Sequence, residues 1–274
     1  SMVQSYLSTS LATPAAAKTG EVTSPADTTV APPTPTEIPS KIGRFNVQSE
    51  LGKGAMGMVY KAVDPVDGQV VAIKTMKSSV SASKGARRRF LKEARLLAEI
   101  SNPFVTRLIE ANEDDGIAFM AMEFVQGQSV GDQLKSKGQF EERVALSVIA
   151  DVARGLDDAH RQGIVHRDLK PDNILIEDVD GSDLPRGRLT DFGLARQLDQ
   201  SESMNVTQAG TVLGTPLYMA PEQWSKGDVD PRADVYSLGA TLYHMLAGSA
   251  PFQASDLAGL MSAHLNEALP SLQK

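Results

Sequence analysis

Between two short apolar runs, Ile164-Val165 and Ile174-Leu175-Ile176, the chain carries the octapeptide His166-Arg167-Asp168-Leu169-Lys170-Pro171-Asp172-Asn173. Acids, cations and a side-chain amide are packed into one short stretch. Apolar runs of this length read as buried strands or strand-like segments. The stretch between them is then a stiff loop, able to hold an acid, a base and a metal ligand in fixed relation. Upstream, Leu51-Gly52-Lys53-Gly54-Ala55-Met56-Gly57-Met58-Val59 contains G-x-G-x-x-G. Dinucleotide-binding folds use the same spacing, but there the glycines open a helix. Here Met58-Val59-Tyr60-Lys61-Ala62-Val63 continues as a strand. A glycine-rich hairpin can bring backbone N–H groups close to phosphates, because no side chains intervene. The plainer reading is a glycine-rich turn.

Lys74 closes Val71-Ala72-Ile73-Lys74. A lysine at the end of a buried strand commonly just reaches for water. Glu93, however, shares a helical stripe with Phe90 and Leu97, and a carboxylate on an inward face needs a cationic partner. Lys74 is the natural candidate; the alternative is that Glu93 only edges the helix face. Downstream stand Asp191-Phe192-Gly193, after the apparent strand Arg188-Leu189-Thr190, and then Gly214-Thr215-Pro216-Leu217-Tyr218-Met219-Ala220-Pro221-Glu222. Asp-Phe-Gly alone is common in loops. Five such motifs in this order and spacing are far more specific.

From about Phe45 to Phe252 the chain resembles the eukaryotic-like serine/threonine protein kinases, with phrasing around Pro221-Glu222-Gln223 and Tyr236-Ser237-Leu238-Gly239 similar to bacterial members. The resemblance implies transfer of the ATP γ-phosphate to protein Ser/Thr hydroxyls, with ATP and Mg²⁺ as cofactors and Mn²⁺ as a substitute. It assigns Asp168 to the substrate hydroxyl, Lys170 to the γ-phosphate, Thr215 to a place near Asp168, and the Lys74–Glu93 pair to the α- and β-phosphates. Asn173 and Asp191 become the metal ligands, with phosphates and water completing the shell. Leu51, Gly52, Gly54 and Gly57 belong to the phosphate hairpin. Met122 guards the back of the adenine pocket, Glu123 and Val125 offer hinge backbone groups, and Val59, Ala72 and Leu175 sandwich the ring. Asp234 matches a buried position that supports the catalytic loop. Arg167 awaits a phosphate on the activation segment, where Ser201, Ser203, Thr207 and Thr211 are candidates for autophosphorylation and Thr207 and Thr211 are favoured.

The elements that must position these groups follow from composition and period. Residues 1–43 are rich in Thr, Ser, Ala and Pro and read as a flexible tail. Residues 44–125 read as a small antiparallel sheet lobe, with hairpins at Asp67-Gly68 and Asp115-Gly116 and one inserted helix over 84–100. Residues 126–274 read as a mainly helical lobe, with Val144, Ala145, Val148, Ile149, Val152, Leu156 and Ala159 at helical spacing and a second helix from Ala233 to Ala247. The expectation is an α+β, two-lobed protein-kinase-like fold with a cleft between the lobes. The helical lobe looks shortened at its C-terminal end. No arginine fills the place that pairs with the family's equivalent of Glu222, so Glu222 should be solvated and exposed apolar surface could favour self-association.

Bulk numbers narrow the field. The chain has 274 residues, is 41% hydrophobic, and carries a net charge of −7. That balance argues against a broad nucleic-acid footprint. With no cysteine, disulfides, thiolate metal sites and cysteine nucleophiles are excluded. No apolar run reaches the length of a membrane span, so the expected location is cytoplasmic, including as the cytosolic part of a larger membrane-anchored protein. Asp178-Val179-Asp180-Gly181-Ser182-Asp183 misplaces the glycine of a calcium loop and reads as a polar hairpin insert. Arg87-Arg88-Arg89 reads as a solvated helix face or a docking patch. The competing function class is a nucleotide-binding pseudokinase or signalling interaction module, against which Lys74, Asp168, Asn173 and Asp191 all argue.

Overall fold

The computed structural model describes residues 38–53, 57–76, 84–192, 216–224 and 229–272, without the side chains of residues 86, 89 and 93. Six strands form the first sheet: β1 Lys41–Ile42, β2 Phe45–Lys53, β3 Met58–Val63, β4 Val70–Thr75, β5 Leu108–Asp114 and β6 Ile117–Glu123, in the spatial order β1-β2-β3-β4-β6-β5 with antiparallel neighbours throughout. Regular structure thus begins ahead of residue 44. The reason is local: Ile42 is buried and pairs with Phe45, so this one apolar residue is drawn onto the sheet. The Asp115-Gly116 turn joins β5 to β6 with both residues at positive φ, 46° and 77°, the twist that a two-residue hairpin demands.

Period-2 alternation decides what each face of the sheet does. Tyr60, Ala62, Val71, Ile73, Phe119 and Ala121 point one way and close a core of their own. Val59, Ala72, Lys74, Met120 and Met122 alternate with them and so occupy the opposite face. The register confirms the grouping, since Val59 lies opposite Lys74, Ala72 opposite Met122, and Lys74 opposite Met120. Helix α1, Lys84–Leu97, is inserted between β4 and β5. Phe90 and Ala94 are buried in the larger core, which also holds Met120 and reaches down to Leu169, Leu189 and Phe192 of the helical lobe. The helix ends at Leu97, three residues short of expectation, where Ala98 to Ile100 turn away on short-range backbone bonds.

The helical lobe contains β7 Gly127–Ser129, α2 Val130–Lys137, α3 Glu142–Arg161, β8 Ile174–Glu177, β9 Arg186–Leu189, α4 Arg232–Ala247 and α5 Leu257–Asn266. Its small sheet runs β7-β8-β9. Helix α3 is amphipathic as its spacing requires, with Ala145, Val148, Val152, Leu156 and Ala159 buried against β9. Approach there is close: a β-carbon on Gly187 of β9 would lie 2.6 Å from the Val148 carbonyl oxygen. Helix α2 begins at Ser129, whose hydroxyl accepts from the Asp132 N–H at 3.0 Å. Helix α4 buries Asp234, Ser237 and Thr241 beside Ala233, Ala240 and Met245, and ends at Gly248 in the left-handed region. The polar stretch 178–185 links β8 to β9 as a hairpin, and no His/Cys/Asp/Glu cluster able to hold a metal occurs among the described residues.

Candidate active site

The loop from His166 to Asn173 is fixed from beneath by one carboxylate. Asp234, in the first turn of α4 and fully buried, accepts the His166 N–H at 2.7 Å on Oδ2 and the Arg167 N–H at 2.8 Å on Oδ1. The His160 ring, at the end of α3, meets Oδ2 at 2.8 Å. Two successive N–H groups converge on one carboxylate here while Arg167 sits in the left-handed region at φ 64°. That conformation costs a non-glycine residue about 1–2 kcal/mol, which charge-assisted hydrogen bonds to a buried acceptor more than offset.

His166 fixes the loop from the side. It is completely buried, packs at a tilt against the Phe192 ring with centroids 4.7 Å apart, and holds Nε2 3.0 Å from the Thr190 carbonyl. Its Nδ1 accepts the Asp168 N–H at 3.3 Å, which assigns the ring proton to Nε2. Burial lowers the pKa of this imidazole from its ordinary value, partly opposed by Asp234, so it serves as a neutral spacer. The far end of the loop closes as a 3-10 turn over Pro171–Asn173, where proline's fixed φ suits the first position. The Thr190 N–H then donates to the Asn173 carbonyl at 3.0 Å, which brings the end of β9 beside the loop and delivers Asp191 to it.

Within this frame the expected chemical groups come together. Asp168 Oδ2 is 2.7 Å from Lys170 Nζ and 3.2 Å from Asn173 Nδ2, and the same Nδ2 donates to the Asp168 carbonyl at 2.7 Å. The carboxylate is therefore oriented by a cation and an amide while remaining about a quarter exposed, at 27%. With Nδ2 committed to Asp168, the amide oxygen of Asn173 is the end left to act as a ligand. Asp191, also at positive φ (57°), supplies a carboxylate nearby. One amide oxygen and one carboxylate fit a hard divalent cation that keeps water and phosphate oxygens in its shell, and do not make an all-protein cage.

Lys74 also meets a second carboxylate. Its Nζ pairs with Asp191 Oδ1 at 2.9 Å, a contact between the end of β4 and the segment just past β9. Asp191 presents this carboxylate on the side of the sheet that Lys74 faces. Glu93 lies on α1, with its side chain outside the described residues. Gly54, Thr215, Ser201, Ser203, Thr207 and Thr211 also lie outside them.

Around the remaining cleft, Val59 and Ala72 are half-buried on the cleft face of the sheet, and Leu175 is half-buried on the side of β8 opposite the buried Ile174 and Ile176. Leu51 is exposed near the end of β2, where Gly52 lies opposite Val59, and Gly57 precedes β3. Met122 stands over a small cavity of about 20 Å³ that reaches Leu108, Asp191 and Phe192. The Glu123 N–H is already used, donating to the Arg107 carbonyl at 3.0 Å, and Val125 is buried. A β-carbon on Gly127, just past this linker, would collide with the Ile176 carbonyl at 1.9 Å, so only glycine permits the crossing into β7.

Two contributors were not singled out in the sequence. Gln223 donates to the Arg167 carbonyl at 2.8 Å and accepts the Ala220 N–H at 3.0 Å, tying the turn after Ala220 to the loop. Its place directly after Ala220-Pro221-Glu222 was the available signal. Arg188 of β9 is buried and bridges Glu123, Glu177 and the Val105 carbonyl. A charged residue at an inward strand position was the clue. Glu222 is exposed, and it adds to the larger effect of Asp230 in raising the pKa of Arg232.

Comparison with known proteins agrees with this geometry. The family description of the protein kinase domain matches residues 45–273. The chain is 38% identical over 239 residues to serine/threonine-protein kinase pkn2 of Myxococcus xanthus, covering 85% of this chain and 28% of that protein. It is 36% identical over 233 residues to PknH of Mycobacterium tuberculosis, covering 85% and 36%. It thus spans about a third of the length of these curated relatives. The crystal structure of the PknI kinase domain of Mycobacterium tuberculosis superposes with a TM-score of 0.65 at 29% identity, covering 84% of this chain and 86% of that one. The chain belongs to the protein kinase family, in the branch of bacterial eukaryotic-like serine/threonine kinases.

Proposed function

We propose that this domain transfers the γ-phosphoryl group of ATP to serine and threonine hydroxyls of proteins, its own activation segment included. The observation that carries the reading is the Asp168 carboxylate, oriented by Lys170 and Asn173 on a loop locked to Asp234, opposite a sheet face that ends in Lys74. Phosphoryl transfer asks for positioning and charge neutralisation more than for covalent chemistry. Asp168 aligns the hydroxyl and accepts its proton as the bond to phosphorus forms. Lys170 moves from the Asp168 carboxylate to the transferring phosphoryl group. Lys74 holds the phosphates that remain with ADP, with Glu93 as its carboxylate partner. Mg²⁺, with Mn²⁺ as a substitute, would be held by Asn173 and Asp191 and would supply charge neutralisation at the phosphate oxygens.

The nucleotide sits under Leu51, Gly52, Gly54 and Gly57, its base between Val59, Ala72 and Leu175, beside Met122 and the backbone of Glu123 and Val125. Thr215 completes the surroundings of Asp168, and Arg167 receives a phosphate placed on Thr207, Thr211, Ser201 or Ser203. The lobes divide at residues 125 and 126. Val235, Leu265, Leu269 and Leu272 are exposed apolar side chains through which the domain self-associates. No helix among the described residues is long and apolar enough to cross a membrane, and the domain works in the cytoplasm, as a module of a longer protein.

Incubation with γ-labelled ATP, Mg²⁺ and a mixture of Ser, Thr and Tyr peptides tests the reading. Label should enter Ser and Thr peptides, and mass spectrometry should find phosphate between residues 197 and 212. Nucleotide binding without transfer would favour an interaction module instead.

A further inference from the structure

We propose that the basic groove along α1 docks a phosphorylated segment of a protein partner. Lys84, Arg88, Lys92 and Arg95 recur at spacings of three and four, which places them on one side of the helix, turned away from the buried Phe90 and Ala94, with Leu91 at the border between that side and the core. With Arg87 and Glu113 they line a groove of about 550 Å³ between α1 and β5. Arg87 spans the groove wall to Glu113, Nε to Oε2, at 2.9 Å. Lys84, Arg88, Lys92 and Arg95 are exposed and form no ion pair with another described residue.

Five cations therefore face one carboxylate, on a protein whose net charge is −7. A solvated helix face ordinarily mixes signs, because like charges three or four residues apart repel. Concentrating one sign in a concavity raises the local concentration of anions. The arginines select the anion, since a guanidinium fork matches the oxygens of a phosphate monoester in paired hydrogen bonds. Leu91, half-buried within the groove, adds an apolar contact beside that phosphate. From Lys84 to Arg95 the helix rises by roughly 17 Å, a length that suits a short peptide. A polynucleotide would need a longer basic track than this acidic surface offers. The groove contains none of the residues placed around Asp168, and the proposal does not depend on phosphotransfer.

Fluorescence anisotropy without ATP tests it, using a labelled peptide with one phosphothreonine between two leucines, its unphosphorylated twin, inorganic phosphate, and a short single-stranded RNA. The phosphopeptide should bind at least about tenfold more tightly than its twin, and more weakly as salt rises. Arg88→Ala and Arg95→Ala should each lose about tenfold, while Lys137→Ala and Arg161→Ala, exposed cations elsewhere, should bind as the parent does. In the parent protein, bound phosphopeptide should shield Lys84 and Lys92 from amine-reactive labelling, a readout independent of how any variant folds. Equal binding of the twin, parental affinity in both arginine variants, unshielded lysines, or RNA displacing the phosphopeptide at equal charge would each overturn the proposal.

Discussion

The catalytic loop and the Lys74–Asp191 contact lie side by side, yet they are held in opposite ways. The loop is tied to α4 through Asp234, to β9 through His166 and Thr190, and to the turn after Ala220 through Gln223. Each of those ties is a buried or partly buried hydrogen bond to a backbone group within one lobe. Lys74, at the end of β4, and Asp191, just past β9, meet through one ion pair among the described residues, with Asp191 partly exposed at 29%. The loop is a preassembled part, whereas the pair depends on how the lobes stand. A fold can thus keep its proton acceptor rigid while leaving its phosphate-holding lysine free to exchange partners.

Asp168→Asn keeps every tie of the loop but removes the proton acceptor. Phosphotransfer should fall by about 10³-fold or more, with ATP affinity unchanged by titration. Parental turnover would remove Asp168 from its role. Lys74→Met should cost about 10²-fold in kcat/KM and shift Tm by no more than about 2 °C, because the pair contributes little to folding. A larger loss of Tm would show the pair to be structural and collapse the contrast. Asp234→Asn replaces an acceptor with a donor beneath two N–H groups. It should lose about 2–4 kcal/mol in denaturant titration, together with kcat, while a variant folding like the parent would mean the loop has other anchors. Gln223→Ala breaks the outermost tie and should cost about 1 kcal/mol and lower kcat less than tenfold, with KM for ATP unmoved.

The smallest effect is on pH. Burial lowers the pKa of His166, His244 and His264 from the ordinary 6.5. Below that value the unfolded chain takes up protons that the folded one refuses, so stability is full above about pH 6.5 and falls as pH drops through it. Tm should decrease by a few degrees between about pH 7.5 and 5.5; a flat profile would show these rings to be protonated in place.

What could be read in the sequence follows the same division. Asp168, Lys170 and Asn173 lie within six residues, so their meeting was a matter of local chain geometry. The alternation through Val59, Ala72 and Lys74 fixed a shared sheet face because the side-chain period is two. Long-range contacts were not legible. Nothing local to Lys74 shows that Asp191, more than a hundred residues on, comes within 2.9 Å of its ammonium group. Arg188 was hidden for a related reason: nothing local shows that its strand end lies beneath the linker after β6. The early start of the sheet depended on one buried residue, Ile42, too little for any pattern to register.

Arg188 carries a mechanical consequence. It grips the end of β6 at Glu123, the strand β8 at Glu177, and the chain at Val105, where that chain pairs with Leu189. The Glu123 and Glu177 attachments flank the linker after β6, where the chain passes from the first lobe to the second. A bolt at that place leaves rotation free while forbidding translation. A small tilt about the bolt becomes a larger displacement at the far end of β2 and β3, so the sheet face bearing Val59 and Ala72 can lift while Glu123, Glu177 and Val105 stay in register.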